Sequence, residues 1–143
     1  MLQSLSDSLN YYWTGLVFLP LVLLLTFYQL KNKKKWFLFW SSFVFMQALV
    51  WILKFAVASQ RPLGVHMLKN PSFPSGVAAD AGFFAMYLSF LYPKYWILWH
   101  SFGICVSLLR VYSGAHYVID IVFGYLLGIC LVLLAQRLFK FVS

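Results

Sequence analysis

Five apolar runs fill most of this 143-residue chain, each as long as a bilayer crossing or nearly so. They cover Tyr11–Leu30, Trp36–Ser59, Ser75–Tyr92, Tyr95–Leu109 and Val118–Gln136, the fourth being short unless it continues through Arg110. A hydrocarbon core of about 30 Å takes roughly 20 residues of helix at 1.5 Å each. Composition removes the soluble alternative. Hydrophobic residues make up 63% of the chain and charged ones 10%, and a soluble domain this small has too much surface for its volume to hide that share.

The expected fold is therefore all-α: an integral membrane helical bundle of five transmembrane helices. Residues 1–10 carry Leu2, Leu5 and Leu9, a spacing that suits a short N-terminal interfacial helix. Tyr11, Tyr12, Trp13, Trp36, Tyr92, Tyr95 and Trp96 fall near span ends, where amphipathic rings favour the headgroup zone. Connections are short, with no linker, repeat or low-complexity tract, so residues 1–143 read as a single domain. No cleavable signal peptide is expected, because the first ten residues hold no Lys or Arg and no small-residue cleavage site follows. Gly124 and Gly128 form a GxxxG that predicts close packing inside the bundle rather than dimerisation. Cys105 and Cys130 lie in apolar runs without metal or redox spacing and read as packing residues.

The net charge of +8 would suggest nucleic acid in a soluble protein. Here the basic residues punctuate apolar runs, so topology accounts for them and no nucleic-acid partner is implied. Five crossings put Lys31, Lys33, Lys34, Lys35, Lys94, Arg137 and Lys140 on one face, seven of the eleven Lys and Arg, with no acid. The positive-inside rule makes that face cytoplasmic. The other face carries Lys54, Arg61, Lys69, Arg110 and all three acids, Asp7, Asp80 and Asp120.

Charges at the edge of a membrane are costly and point to function. Taken singly, Lys54 could snorkel and Arg110 could be a stop signal; together with Arg61, His116 and Asp120 they gather near one pair of loops. Lys54 and Arg61 are seven apart and share a helix face, with Pro62 marking where that helix should end. His116 and Asp120 are four apart. A carboxylate one turn from an imidazole can hold its Nδ1–H and leave Nε2 as nucleophile or base, although a plain structural hydrogen bond has the same spacing. Ser75 and Gly76 open the third run, where first-turn N–H groups and the helix dipole favour an anion. Two arginines and a lysine beside them suit a dianionic phosphoryl group.

Lys54-x6-Arg61-Pro62, then Pro74-Ser75-Gly76, then Arg110-x5-His116-x3-Asp120, in that order, resemble the three-part signature of the type 2 phosphatidic acid phosphatase superfamily. The match spans residues 54–120, about half the chain. The resemblance implies a metal-independent lipid phosphate phosphatase without a cofactor. His116 would attack phosphorus and form a phosphohistidine, and Asp120 would orient it. Lys54, Arg61, Arg110 and the Ser75–Gly76 backbone would bind the phosphoryl oxygens. The implied partners are a lipid phosphate and the bilayer, with no obligate protein partner. A compact chain with little beyond the family core and a site that faces outward favour a bacterial inner membrane, with the site facing the periplasm or cell exterior.

The departure is Val77, where the family pattern has its general-acid histidine. Three explanations stand open: an engineered inactive variant, a leaving group that needs little protonation, or another donor, Asp80 or His66. If Val77 is natural, it favours a diphosphate or a glycosyl phosphate over an alkyl ester. Among lipid A 1-phosphate, phosphatidylglycerophosphate and polyprenyl diphosphate, the reading leans to the first. The competing class is a non-catalytic lipid-phosphate binder; a channel or transporter ranks last, because the charges cluster at one end. His100, mid-run, is expected to hydrogen-bond to a neighbouring helix.

Overall fold

A computed structural model describes residues 33–62 and 70–140. Those residues form four α-helices and a short 3-10 turn: α1 (Lys33–Val57), α2 (Gly76–Leu91), the turn Pro93–Tyr95, α3 (Trp96–Tyr112) and α4 (Val118–Phe139). The run Tyr11–Leu30, the interfacial helix expected over residues 1–10, and His66 and Lys69 lie outside the described residues.

All four of the later apolar runs are helical, but they are not equal. α1, with 25 residues, and α4, with 22, are long and apolar enough to cross a membrane. α2 has 16 residues and α3 has 17. These amount to about 24 and 26 Å, short of a core of about 30 Å. The described residues therefore hold two full-length candidate spans, and the expected count of five is not carried by them.

Local chemistry sets the boundaries. Ser75 has extended backbone at φ −72° and ψ 114°, and its Oγ accepts from the Ala78 N–H at 3.4 Å, capping α2. Pro93 follows the last residues of α2 and cannot continue it. Gly114, at φ 70°, turns the chain between α3 and α4. The Asp120 carboxylate reaches back to accept from the Tyr117 N–H at 2.9 Å and fixes the start of α4.

α2 forms the middle of the bundle, with nine of its 16 residues buried against four of the 25 in α1. The buried residues of α1, namely Phe39, Met46, Val50 and Lys54, make one stripe, and Phe37, Phe45, Ile52 and Phe55 point outward as lipid would require. Phe39 stacks into Phe83, Phe84 and Tyr87 of α2, its ring centroid 4.4 Å from that of Tyr87. α4 lies against α2 through its glycines. A Cβ on Gly124 would strike the Ser75 carbonyl, and one on Gly128 the Ala79 carbonyl; reciprocally, one on Gly82 would strike the Tyr125 carbonyl. The GxxxG thus serves internal packing, as its sequence suggested.

Gly128→Ala is expected to destabilise the bundle. The added methyl meets backbone atoms on two sides, including the Phe83 nitrogen at 2.6 Å, so the helices must part rather than a side chain yield. Overpacking of this kind costs about 1–3 kcal/mol. Thermal unfolding in detergent checks it, and an unchanged midpoint would refute the contact.

Candidate active site

Three segments bring their polar ends to one place: the last turn of α1 with the chain after it, the connection 70–75, and the turn between α3 and α4. Lys54, in the last turn of α1, is buried at 4% exposure. It does not snorkel. Its ammonium donates to the Pro71 carbonyl at 2.7 Å and to the Ser72 carbonyl at 3.3 Å. Ser59 holds the same connection: its Oγ accepts from the Phe73 N–H at 2.8 Å and its carbonyl from the Ser72 N–H at 3.0 Å.

The Arg61 guanidinium is fixed on three sides. Its Nε donates to the Asn70 carbonyl at 3.0 Å and one terminal nitrogen to the Asn70 Oδ1 at 2.8 Å. The other terminal nitrogen donates to the Ala115 carbonyl at 2.6 Å and lies 3.4 Å from His116 Nε2. Arg110 is buried in the last turn of α3, and its carbonyl accepts from the N–H groups of Ala115 and His116 at 3.0 and 3.2 Å. Those two bonds fold residues 111–116 back so that the imidazole faces the cations.

His116 and Asp120 are both nearly fully buried, with His116 Nδ1 3.4 Å from Asp120 Oδ2. Burial, followed by the positive fields of Arg61, Arg110 and Lys54, pushes the imidazole below its ordinary 6.5; Asp120 acts the other way and is outweighed. The ring is therefore neutral at pH 7, with a lone pair to offer. Titration of this ring, followed by NMR, is expected well below pH 6.5. A midpoint at or above 6.5 would mean that burial and the cations do not act on the ring.

Ser75 is buried, and its polar groups are committed: its N–H donates to the Asp120 carbonyl at 3.0 Å and its hydroxyl caps α2. The expectation that the Ser75 backbone N–H meets the phosphoryl group is therefore corrected. The first-turn N–H groups of Gly76 and Val77 are the donors left at this helix start. A Cβ on Gly76 would find only Val50 Cγ1 at 3.7 Å, an ordinary contact, so helix packing does not demand glycine there. Val77 is half-buried in the same turn.

Asp80, considered above as a substitute acid, lies deeper in α2 and accepts from Gln47 Nε2 at 2.6 Å across the α1–α2 contact. His100 Nδ1 meets the Tyr125 hydroxyl at 2.9 Å, the interhelical bond expected of it. Two residues were invisible to sequence spacing: Asn70, which holds Arg61, and Ser72, which lies between His116 and Asp120. Their only signal was a turn-rich stretch, Asn70 to Ser75, ahead of an apolar run.

A bundle that is all helical among the described residues, with exposed apolar faces and a buried His–Asp pair ringed by one lysine and two arginines, defines a helical membrane protein with a buried cationic cluster. Residues 41–142 match the PAP2 superfamily, and the chain belongs to it. The undecaprenyl-diphosphatase of Sulfolobus acidocaldarius is 31% identical over 136 residues, covering 89% of this chain. The chain spans only 66% of that relative's own length. The fold is also that of the crystal structure of a transmembrane PAP2 type phosphatidylglycerolphosphate phosphatase from Bacillus subtilis. That likeness has a TM-score of 0.75 at 23% identity, over 99% of this chain and 78% of the other. LpxE from Aquifex aeolicus gives a TM-score of 0.70 at 23% identity, over 95% and 86%.

Proposed function

We propose that this chain, acting as one domain, hydrolyses the phosphate of a membrane lipid through a covalent phosphohistidine, with its site at the outer face of a cell membrane. The observation that carries the reading is the environment of His116: a neutral imidazole whose Nε2 faces Arg61 within a ring completed by Lys54 and Arg110. A phosphoryl dianion entering that ring replaces the mutual repulsion of three cations with attraction. Its oxygens are met by Arg61, Arg110 and Lys54, and by the N–H groups of Gly76 and Val77. Nε2 then attacks phosphorus in line, the bond to the leaving oxygen breaks, and the lipid departs with that electron pair. Water attacks the phosphohistidine, inorganic phosphate leaves, its proton passes to solvent, and Nε2 regains its lone pair.

The leaving oxygen decides the substrate. Val77 cannot protonate it, Asp80 is engaged with Gln47, and His66, the other donor considered, lies outside the described residues. An alkoxide leaves badly without a proton; a phosphate leaves well. Among the candidates, a polyprenyl diphosphate therefore fits better than phosphatidylglycerophosphate, and the glycosyl phosphate of lipid A stands between them. The relation to an undecaprenyl-diphosphatase supports the same choice.

Phosphate release in detergent micelles tests the reading. Polyprenyl diphosphate is expected to be hydrolysed with chelator present, with vanadate competing. A strict metal requirement would overturn the mechanism. Val77 also favours a second reading, a lipid-phosphate binder that does no chemistry. Tight vanadate binding with no hydrolysis of any of the three lipids would establish that one instead.

A further inference from the structure

Ser72 is fully buried, yet its hydroxyl is not a packing accident. Its Oγ donates to Asp120 Oδ2 and lies 3.4 Å from His116 Nδ1. The direct His116–Asp120 contact is also 3.4 Å, longer than the 2.7–3.2 Å of a good N–H···O bond. The imidazole is thus held by two oxygens together rather than by the carboxylate alone.

Proton counting sharpens this. A serine hydroxyl has one hydrogen, and here it goes to Asp120, so Ser72 shows His116 only a lone pair. Asp120 Oδ2, which also accepts from the Tyr117 N–H, shows lone pairs as well. Nδ1 therefore faces two acceptors. On the opposite edge, Nε2 faces a donor, the Arg61 guanidinium. The pattern is satisfied by one tautomer: hydrogen on Nδ1, lone pair on Nε2.

We infer that Ser72 is a positioning residue of the site, the third member of a Ser72–Asp120–His116 chain that fixes the imidazole tautomer and aims Nε2 at phosphorus. The same connection carries the rest of the clamp, since Asn70 holds Arg61 and the Pro71 and Ser72 carbonyls hold Lys54. Ser72 thus ties the nucleophile to the strap that sets the cations. This role rests on the proposed reaction for its effect on rate, but the tautomer it dictates does not.

The test has two arms. In the first, 15N NMR of the full chain with His66→Gln and His100→Gln leaves His116 as the single histidine. At pH 7 the proton is expected on Nδ1. Ser72→Ala removes a donor from Asp120, leaving a more negative carboxylate beside the ring, so the ring should titrate at higher pH than in the parent. The groups facing it, Arg61, Arg110, Lys54 and Asp120, are unchanged. A proton found on Nε2 in the parent, or an unmoved titration in Ser72→Ala, overturns the inference. In the second arm, kcat on the lipid diphosphate should fall about 10–100-fold in Ser72→Ala, the range for a hydrogen bond to a charged group. KM should hold, and Ser72→Thr should restore most of the rate. Loss of kcat without a shifted titration and without rescue by Thr would make Ser72 scaffold only and sink the inference. An inactive parent with the expected NMR pattern would sink the reaction while leaving the tautomer assignment intact.

Discussion

His116→Ala should lose turnover by about 10⁴–10⁶-fold while the protein still folds and still binds vanadate. The size follows from the role. Without Nε2 no covalent intermediate forms, because among the described residues the groups around the imidazole are cations and a carboxylate, and the Ser72 hydroxyl is turned to Asp120. Binding should survive, because the cations are held from elsewhere: Lys54 by the 71–72 carbonyls and Arg61 by Asn70. Folding should survive as well, since Asp120 keeps its donors from Ser72 and Tyr117. Phosphate release and vanadate affinity measured on the same preparation separate these effects. A variant within tenfold of the parent rate would rule out nucleophilic attack by His116.

Val77→His should raise hydrolysis of a phosphate monoester, such as phosphatidic acid, by about 10²–10⁴-fold, the usual worth of a general acid. Hydrolysis of a diphosphate should change far less, because its leaving group needs no proton. The position can take the ring: Val77 is half-buried in the first turn of α2, beside Gly76 and above a helix capped by Ser75. The ratio of the two activities, before and after the substitution, is the measurement. Equal monoester rates in both proteins would show that protonation of the leaving group is not what position 77 controls. Activity on either lipid only in the variant would mark the parent as a binder.

Much of this architecture was legible before any coordinates. The four later apolar runs announced their helices because lipid leaves the backbone little alternative, and Pro74 and Pro93 stand at breaks that local sterics enforce. Pro62 was misread as the stop of α1: the helix ends at Val57, where Ala58 turns the chain at φ 49°, so Arg61 lies beyond the helix and does not share a helix face with Lys54. The gathering of Lys54, Arg61, Arg110, His116 and Asp120 was legible because charges at span ends are expensive, so five of them near two loops had to mean something. Lys54 shows where this reading stops. Sequence allowed it either to snorkel or to turn inward, and only the carbonyls of Pro71 and Ser72, 17 and 18 residues away, decide. Ser75 was given the phosphate by its place at a helix start, yet its N–H goes to the Asp120 carbonyl, a partner no local pattern predicts. Ser72 was missed for the same reason, since its partners lie 44 and 48 residues further along. Hydropathy cannot say which end residues belong to turns: α2 is two residues shorter than its apolar run, whereas α3 continues past Leu109 through Arg110 to Tyr112, the extension that its short run required.

The side chain at position 77 bonds to nothing, whereas its neighbour Ser75 is tied to Asp120 and pressed against Gly124. Architecture and reactivity are therefore written in different letters of the same short word. If Val77→His shifts the balance of activities as expected, one exchange there would alter lipid choice without re-solving the problem of folding in a bilayer.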